Sequence, residues 1–169
     1  TITNSGTDAT VSGAYFEASG GAIGAVKITN TGSNANFYSG YFEASGGNIG
    51  PITVTQTGQN SDFRASGYAY SGSIGNISVS TTGASSEAHL DVQAYGDVDG
   101  IVTTGGNVGS IAVTAAGSDA NAWVDAWTNS GGSIGNVAMT LNNASRTSGA
   151  VGVSAYVNGI QGFGFTDVA

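Results

Sequence analysis

Charge is what this chain has least of. Only 8% of its 169 residues are Asp, Glu, Lys or Arg, where about 25% is ordinary for a soluble domain. Disordered segments stay solvated through charge and polarity, so this scarcity argues against classical disorder. Basic residues are the scarcest: Lys27, Arg64 and Arg146 stand against eleven acids, for a net charge of −8. A nucleic-acid partner needs the opposite sign and is set aside. Cysteine is absent and proline occurs once. Without cysteine there is no disulfide framework, which fits a bacterial secreted protein. No apolar run is long enough for a membrane-spanning helix, and no signal-peptide pattern is present. Strong helix formers are few, while Gly, Ser, Thr and Asn, which disfavour helix, abound. What remains is β structure with many tight turns.

What the chain does have is repetition. YFEASGG stands at 15–21 and again at 41–47, and a second anchor recurs as GGAIG (20–24), GGNIG (46–50), SGSIG (71–75), GGNVG (105–109) and GGSIG (131–135). The last glycines of these anchors are 26, 25, 34 and 26 residues apart, and a degraded copy, NGIQG at 158–162, follows 27 later. Internal periods of this length mark repeat architectures. The sequence divides into six units, approximately 1–26, 27–52, 53–77, 78–111, 112–137 and 138–169, and the long spacing marks an insertion of about eight residues near 96–103.

Each unit reads alike. After the anchor comes an alternating run: AVKITNTG, PITVTQTG, NISVSTTG, SIAVTAAG or NVAMTLNN. Val26/Ile28, Ile52/Val54, Ile77/Val79, Ile111/Val113 and Val137/Met139 fall on one side, and Thr, Ser, Ala or Lys on the other. Period-two alternation of this kind is a half-buried strand. A small polar turn follows (GTDA, GSNA, GQNS, GASS, GSDA), then a second, less regular run such as ANFYSGYFEAS. Such a unit cannot bury a face alone, so stacking is required, with each strand about 4.8 Å above its counterpart. The expected fold is all-β: a parallel β-solenoid of about six coils with a 25–26-residue repeat, one coil carrying the insertion. Six coils rise roughly 29 Å. Glycine opens each corner, the Ile or Val of GGxIG plugs it from inside, and the interior is dry, made of Ile, Val and small residues. A Gly-rich linker or a β-sandwich is the alternative, and neither accounts for twin heptapeptides and five spaced anchors.

Stacking turns the outward positions into columns. One reads Thr3, Thr29, Thr55, Ser80, Thr114, Thr140, with Thr166 extending it, and the next reads Ser5, Thr31, Thr57, Thr82, Ala116, Asn142. On Thr29/Thr31, Thr55/Thr57 and Ser80/Thr82 the chain resembles the T-x-T strands of hyperactive antifreeze proteins built as β-solenoids. The resemblance covers about three coils and implies a flat Thr face that orders water into an ice-like lattice. Ala116, Asn142 and Lys27 depart from that pattern. Threonine is also a favoured residue on any exposed strand face.

The second runs carry most of the aromatics. Adjacent pairs such as Tyr41-Phe42 must point to opposite sides, so some rings lie outside. Trp123 and Trp127 share a face with Asp125 between them, which leaves Ala122, Val124 and Ala126 for the core. Tyr38, Trp123 and Trp127 are the candidate contacts for a protein interface or a glycan. Rings stacked along a column would also stabilise the sheet without recognising anything. Glu17 and Glu43 share a column, where like charges repel. GDVDG in the insertion makes Asp97 and Asp99 weak calcium candidates, since hard oxygen ligands on a Gly-containing loop suit that ion, although the calcium-binding G-G-x-G-x-D nonapeptide is absent. His89 is the only histidine, on the same strand face as Asp91, and no nucleophile or oxyanion pocket accompanies it. No cofactor and no catalytic activity are expected.

The sequence begins and ends within units, with no evident capping segment. Exposed rungs invite pairing, so the expected partners are copies of the chain or adjoining repeats, end to end. Across its length the chain resembles the Gly/Thr/Asn-rich repeat regions of bacterial adhesins, surface-layer proteins and matrix fibres, a likeness of composition and repeat style. It implies a stiff structural rod at the cell surface or outside the cell, with an ice-binding protein and a carbohydrate-binding module as the alternatives.

Overall fold

A computed structural model describes residues 1–95, 97–98, 101–102, 106–128, 132–142, 150–157 and 160–167. These residues contain strands and turns and no helix. The strands are β1 (Ile2–Asn4), β2 (Thr10–Ser12), β3 (Tyr15–Ala18), β4 (Val26–Asn30), β5 (Asn36–Ala44), β6 (Ile52–Gln56), β7 (Asp62–Tyr70), β8 (Ile77–Thr81), β9 (Glu87–Tyr95), β10 (Asp97–Val98), β11 (Ile101–Val102), β12 (Ile111–Ala115), β13 (Asn121–Thr128), β14 (Val137–Leu141), β15 (Ala150–Val157) and β16 (Ile160–Asp167). The chain is a parallel β-solenoid in which each central unit gives one strand to each of two sheets, while the first and last units give two strands to the second. The first sheet runs β1-β4-β6-β8-β12-β14, and the second runs from β16 and β15 through β13, β9, β7 and β5 to β2, with β3 also on β5.

Register in the first sheet is one to one throughout. Ile28 lies between Ile2 and Val54, and Val79 between Val54 and Val113. Apolar residues spaced two apart therefore meet only apolar residues, and Ile28, Ile52, Val54, Ile77, Val79, Ile111 and Val113 are buried. The corner residues Ile23, Ile49, Ile74, Val108 and Ile134 form a further axial column of parallel bridges. Ile49, Ile74 and Val108 are buried, as corner plugs must be. Val137 keeps its place over Ile111 but is 43% exposed, because no further rung of the first sheet covers it among the described residues.

The small polar turns follow from one backbone requirement. Asp8, Asn34, Asn60, Ser85 and Asp119, at equivalent places, all have φ between 50° and 55°. Asn and Asp adopt this left-handed conformation more readily than other side-chain-bearing residues. The glycine two positions before each is needed for a different reason. A Cβ on Gly58 would run into the carbonyl oxygen of Gly32 in the coil below, and one on Gly83 into that of Gly58.

The interior is not wholly dry. Strand parity also points Asn4, Asn30, Gln56 and Thr81 inward, where they form one buried axial column beside the turns. Asn4 Nδ2 donates to the Ala9 and Asn36 carbonyls, and Asn30 Nδ2 to the Ala35 carbonyl and to Gln56 Oε1 at 2.9 Å. These amides satisfy turn carbonyls that stacked strands leave over. Ser61 and Ser86 do similar work one turn further on: Ala35 N–H donates to Ser61 Oγ at 3.0 Å, and Ser61 N–H to Ser86 Oγ at 3.2 Å.

Two expectations about the last coil are corrected. Of NGIQG, Asn158 and Gly159 lie outside the described residues, and Ile160, Gln161 and Gly162 belong to β16 rather than to a solenoid corner; Thr166 does not extend the Thr column. The strands on either side of Asn158-Gly159 instead pair antiparallel, Val157 with Ile160 through Ala150 with Asp167, and Thr166 lies against Val151 in the second sheet. Asn-Gly between two alternating runs is the strongest short hairpin signal, and here it outweighs the likeness to the anchors. The insertion contributes a second antiparallel pair, β10 with β11.

Candidate functional site

Two outward faces are available, one on each sheet. On the first, Thr3, Thr29, Thr55, Ser80, Thr114 and Thr140 stand directly over one another in ladder register. The neighbouring column lies just past the strand ends, yet the backbone ladder continues into it: Thr31, Thr57 and Thr82 N–H donate to the carbonyls of Asn4, Asn30 and Gln56 at 2.8–2.9 Å. All three residues are exposed. The face is thus a grid of hydroxyls and methyls, and its one formal charge among the strand positions is Lys27.

The second face carries rings and charges. Tyr15, Tyr41 and Tyr68 follow one another at 5.2 and 5.0 Å between ring centroids, and Tyr70 lies 5.4 Å from Tyr95. Stacking leaves Tyr41, Tyr68, Tyr70 and Tyr95 partly buried, while Tyr15 at the end of its row stays exposed. Tyr15 hydroxyl lies 3.3 Å from carboxylate oxygens of both Glu17 and Glu43, which are in register, so one donor serves two like charges. Trp123 and Trp127 do flank Asp125 on the outer side, above buried Ala122, Val124 and Ala126. Trp127 is 43% exposed and Trp123 half-buried.

A bulge shapes a concave part of this face. Phe37 pairs with Phe63 and Gly40 with Ala65, so Tyr38 and Ser39 together oppose Arg64 alone. Ser39 takes φ 56° to accommodate the extra residue, and Gly40 is required because a Cβ there would strike the Phe37 ring. The bulge accounts for one unit of 26 residues lying against one of 25. Beside it opens a cleft of about 360 Å³ lined by Tyr38, Arg64, Ser66, His89, Asp91 and Asp125, with the bulge backbone at one wall.

Its polar groups come from successive coils. Asp125 lies in register over Asp91, and Trp123 over His89. His89 Nε2 meets Asp125 Oδ2 at 2.8 Å rather than Asp91, its neighbour on the same strand. Arg64 reaches across to Glu87 at 3.0 Å, and Tyr38 hydroxyl donates to Asp62 at 3.1 Å. Asp91 is left with Gln93 Nε2 at 3.4 Å on one oxygen, while its Oδ1 is buried without a partner. Burial pushes the Asp91 carboxyl above its ordinary value of 3.8, and the Asp125 charge adds to the rise, while Gln93 and His89 oppose it.

Of the candidates read from sequence, the cleft includes Tyr38. Trp123 stands beside it in the same column as His89, and Trp127 lies two positions beyond Asp125. The Thr positions are on the other sheet. Asp97 pairs with Val102 in the short hairpin, and Asp99 lies outside the described residues. Among the described residues no group of three His, Cys, Asp or Glu side chains is placed to hold a metal ion. Arg64, Ser39 and the His89–Asp125 pairing were not read from sequence as a site. The signal for them is arithmetic: the 34-residue spacing puts 91 under 125 and 89 under 123, and 26 against 25 announces the bulge.

The raised Asp91 carboxyl makes a stability prediction with a definite sign. A carboxyl whose value is higher in the fold than in the unfolded chain favours folding fully below 3.8, and that contribution is lost as pH rises through its folded value. Asp91→Asn is therefore expected to raise the urea midpoint at pH 7, with the advantage over wild type shrinking as pH falls toward 4. Urea melts of both proteins across that range check it, and a variant less stable at pH 7 than at pH 4 relative to wild type contradicts it.

Comparison with family models, with curated proteins and with solved structures finds no match to this chain, so its own geometry carries the functional reading.

Proposed function

We propose that this chain is a rod-forming structural segment of an extracellular or cell-surface assembly, mating coil on coil with copies of itself or with adjoining repeats. The observation that carries this reading is the unbroken one-to-one register of six parallel strands in the first sheet. Cohesion runs along the axis: main-chain ladders, stacked rings, the inner amide column, the Arg64–Glu87 ion pair and the His89–Asp125 hydrogen bond all join one coil to the next. In the first sheet the edge strands β1 and β14 run parallel and present like patterns, whereas the second sheet carries antiparallel β16 on one edge, so the mating of coils rests on the first sheet. A contact of that heterologous kind propagates rather than closes. The extracellular placement rests on the cysteine-free, Gly/Thr/Asn-rich repeat style. Negative-stain microscopy over a concentration series is expected to show rods longer than the roughly 24 Å spanned by the five steps between six stacked strands, lengthening with concentration. Discrete short particles at every concentration would overturn the assembly.

A second reading is favoured by one specific feature, the hydroxyl grid of the first sheet. Column positions repeat about every 4.8 Å along the axis and about 7 Å along each strand, over a plane with a single charge at one flank. An ice-binding role predicts thermal hysteresis in wild type and its loss in Thr55→Tyr, which plants a ring in the middle of the grid. Wild type without hysteresis removes this reading and leaves the rod untouched.

A further inference from the structure

We propose that the cleft beside the bulge, between Tyr38 and the His89–Asp125 pair, is a binding site for a neutral, hydroxyl-rich oligosaccharide. The inference stands apart from the rod reading, which concerns the solenoid's edges and not this face.

The cleft's chemistry narrows the ligand by elimination. Its charged lining is mixed, Arg64 with Asp91 and Asp125. Two carboxylates repel an anion, and the guanidinium opposes a cation in the same confined space. A metal ion lacks the ligand set. An extended peptide would need an open strand edge or apolar side-chain pockets. The cleft offers neither, because it lies on the face of the sheet, where the backbone groups of β7, β9 and β13 are engaged in the ladder. What fits is a neutral molecule dense in groups that both donate and accept. Sugar hydroxyls are such groups: they can give hydrogen bonds to Asp91 and Asp125 and take them from Arg64.

Three independent features support the assignment. Asp91 lines the cleft with an under-satisfied carboxylate, holding only Gln93 Nε2 at 3.4 Å on Oδ2 and nothing on the buried Oδ1. Ser39 holds a left-handed backbone that a β-strand does not otherwise need, and the bulge it makes lies against the cleft. Aromatic surface stands within and beside the polar groups, Tyr38 in the cleft and Trp123 in register over His89, which suits the C–H faces of pyranose rings. The volume, about 360 Å³, is in the range of about 300–1,000 Å³ usual for small-molecule sites. The carboxylate that fits worst in the free fold is thus the one placed to meet the ligand.

The test is an NMR titration of the whole chain with neutral trisaccharides of glucose (β-1,4 and α-1,4 linked), mannose and galactose, with glucosamine and glucuronate oligomers as charged comparators. At least one neutral trisaccharide is expected to bind saturably and to shift the amides of residues 38–40, 64–66 and 89–91. Asp91→Asn, which keeps the side chain's shape, is expected to weaken that binding about tenfold or more, and Arg64→Gln likewise, since hydrogen bonds to charged groups are the strong ones. Lys27→Gln, on the opposite sheet, should bind as wild type does. The proposal is overturned if no neutral trisaccharide shifts wild type, if only the charged oligomers bind, or if Asp91→Asn and Arg64→Gln, shown folded by circular dichroism, bind as tightly as wild type.

Discussion

Coil-to-coil main-chain hydrogen bonding is the constraint on which everything else depends. Once Ile28 is held over Ile2 and under Val54, each side chain meets its counterparts from the coils above and below, and hence near-copies of itself. A column is then stable only if its residue type tolerates its own company. Branched aliphatics do, which fills the core, and rings do by stacking, as in Phe37–Phe63 at 5.2 Å. Amides do by donating one to the next, as Asn30 does to Gln56. Carboxylates do not. Glu17 over Glu43 is eased by a shared tyrosine hydroxyl, and Asp91 under Asp125 by the histidine that Asp125 engages.

The same constraint divides the molecule's surface by role. The first sheet is straight and regular because its strands are five residues long from β4 onward and carry no bulge. Its outer face is consequently a repeating grid. The second sheet has longer strands, an extra residue at Tyr38-Ser39 and the chain's longer-range charges. Irregularity collects there, and with it concavity. A regular face suits a lattice or another regular face. An irregular one suits a discrete ligand.

Much of this architecture is legible in the letters, because a repeat reports which positions lie over one another before any coordinate exists. The Thr column, the corner plugs and the outward tryptophans follow from the anchor spacing and strand parity alone. Three features escape that reading, each for a physical reason. Asn30 and Gln56 are inward by parity, but polarity argues for the surface; Asn30 is held there by the Ala35 carbonyl and by Gln56 Oε1, bonds that only the fold reveals. The final strand reverses, with Val157 paired antiparallel to Ile160, and the Asn-Gly letters between them are a hairpin signal that the faint resemblance to the corner motif hides. The His89–Asp125 contact is diagonal, between residues 36 apart where the ladder offset is 34, so same-column reasoning passes over it.

Because the chain has no cysteine of its own, introduced pairs report the stacking directly. Residues in neighbouring coils lie about 4.8 Å apart, inside the span of roughly 4.4–6.8 Å that a disulfide bridges, and residues two coils apart lie beyond it. Under mild oxidation the double variant Thr29→Cys/Thr55→Cys is expected to cross-link within one chain, while Thr29→Cys/Ser80→Cys stays reduced. A reduced Thr29/Thr55 pair, or a Thr29/Ser80 pair that closes equally fast, would contradict the register from which every column has been built.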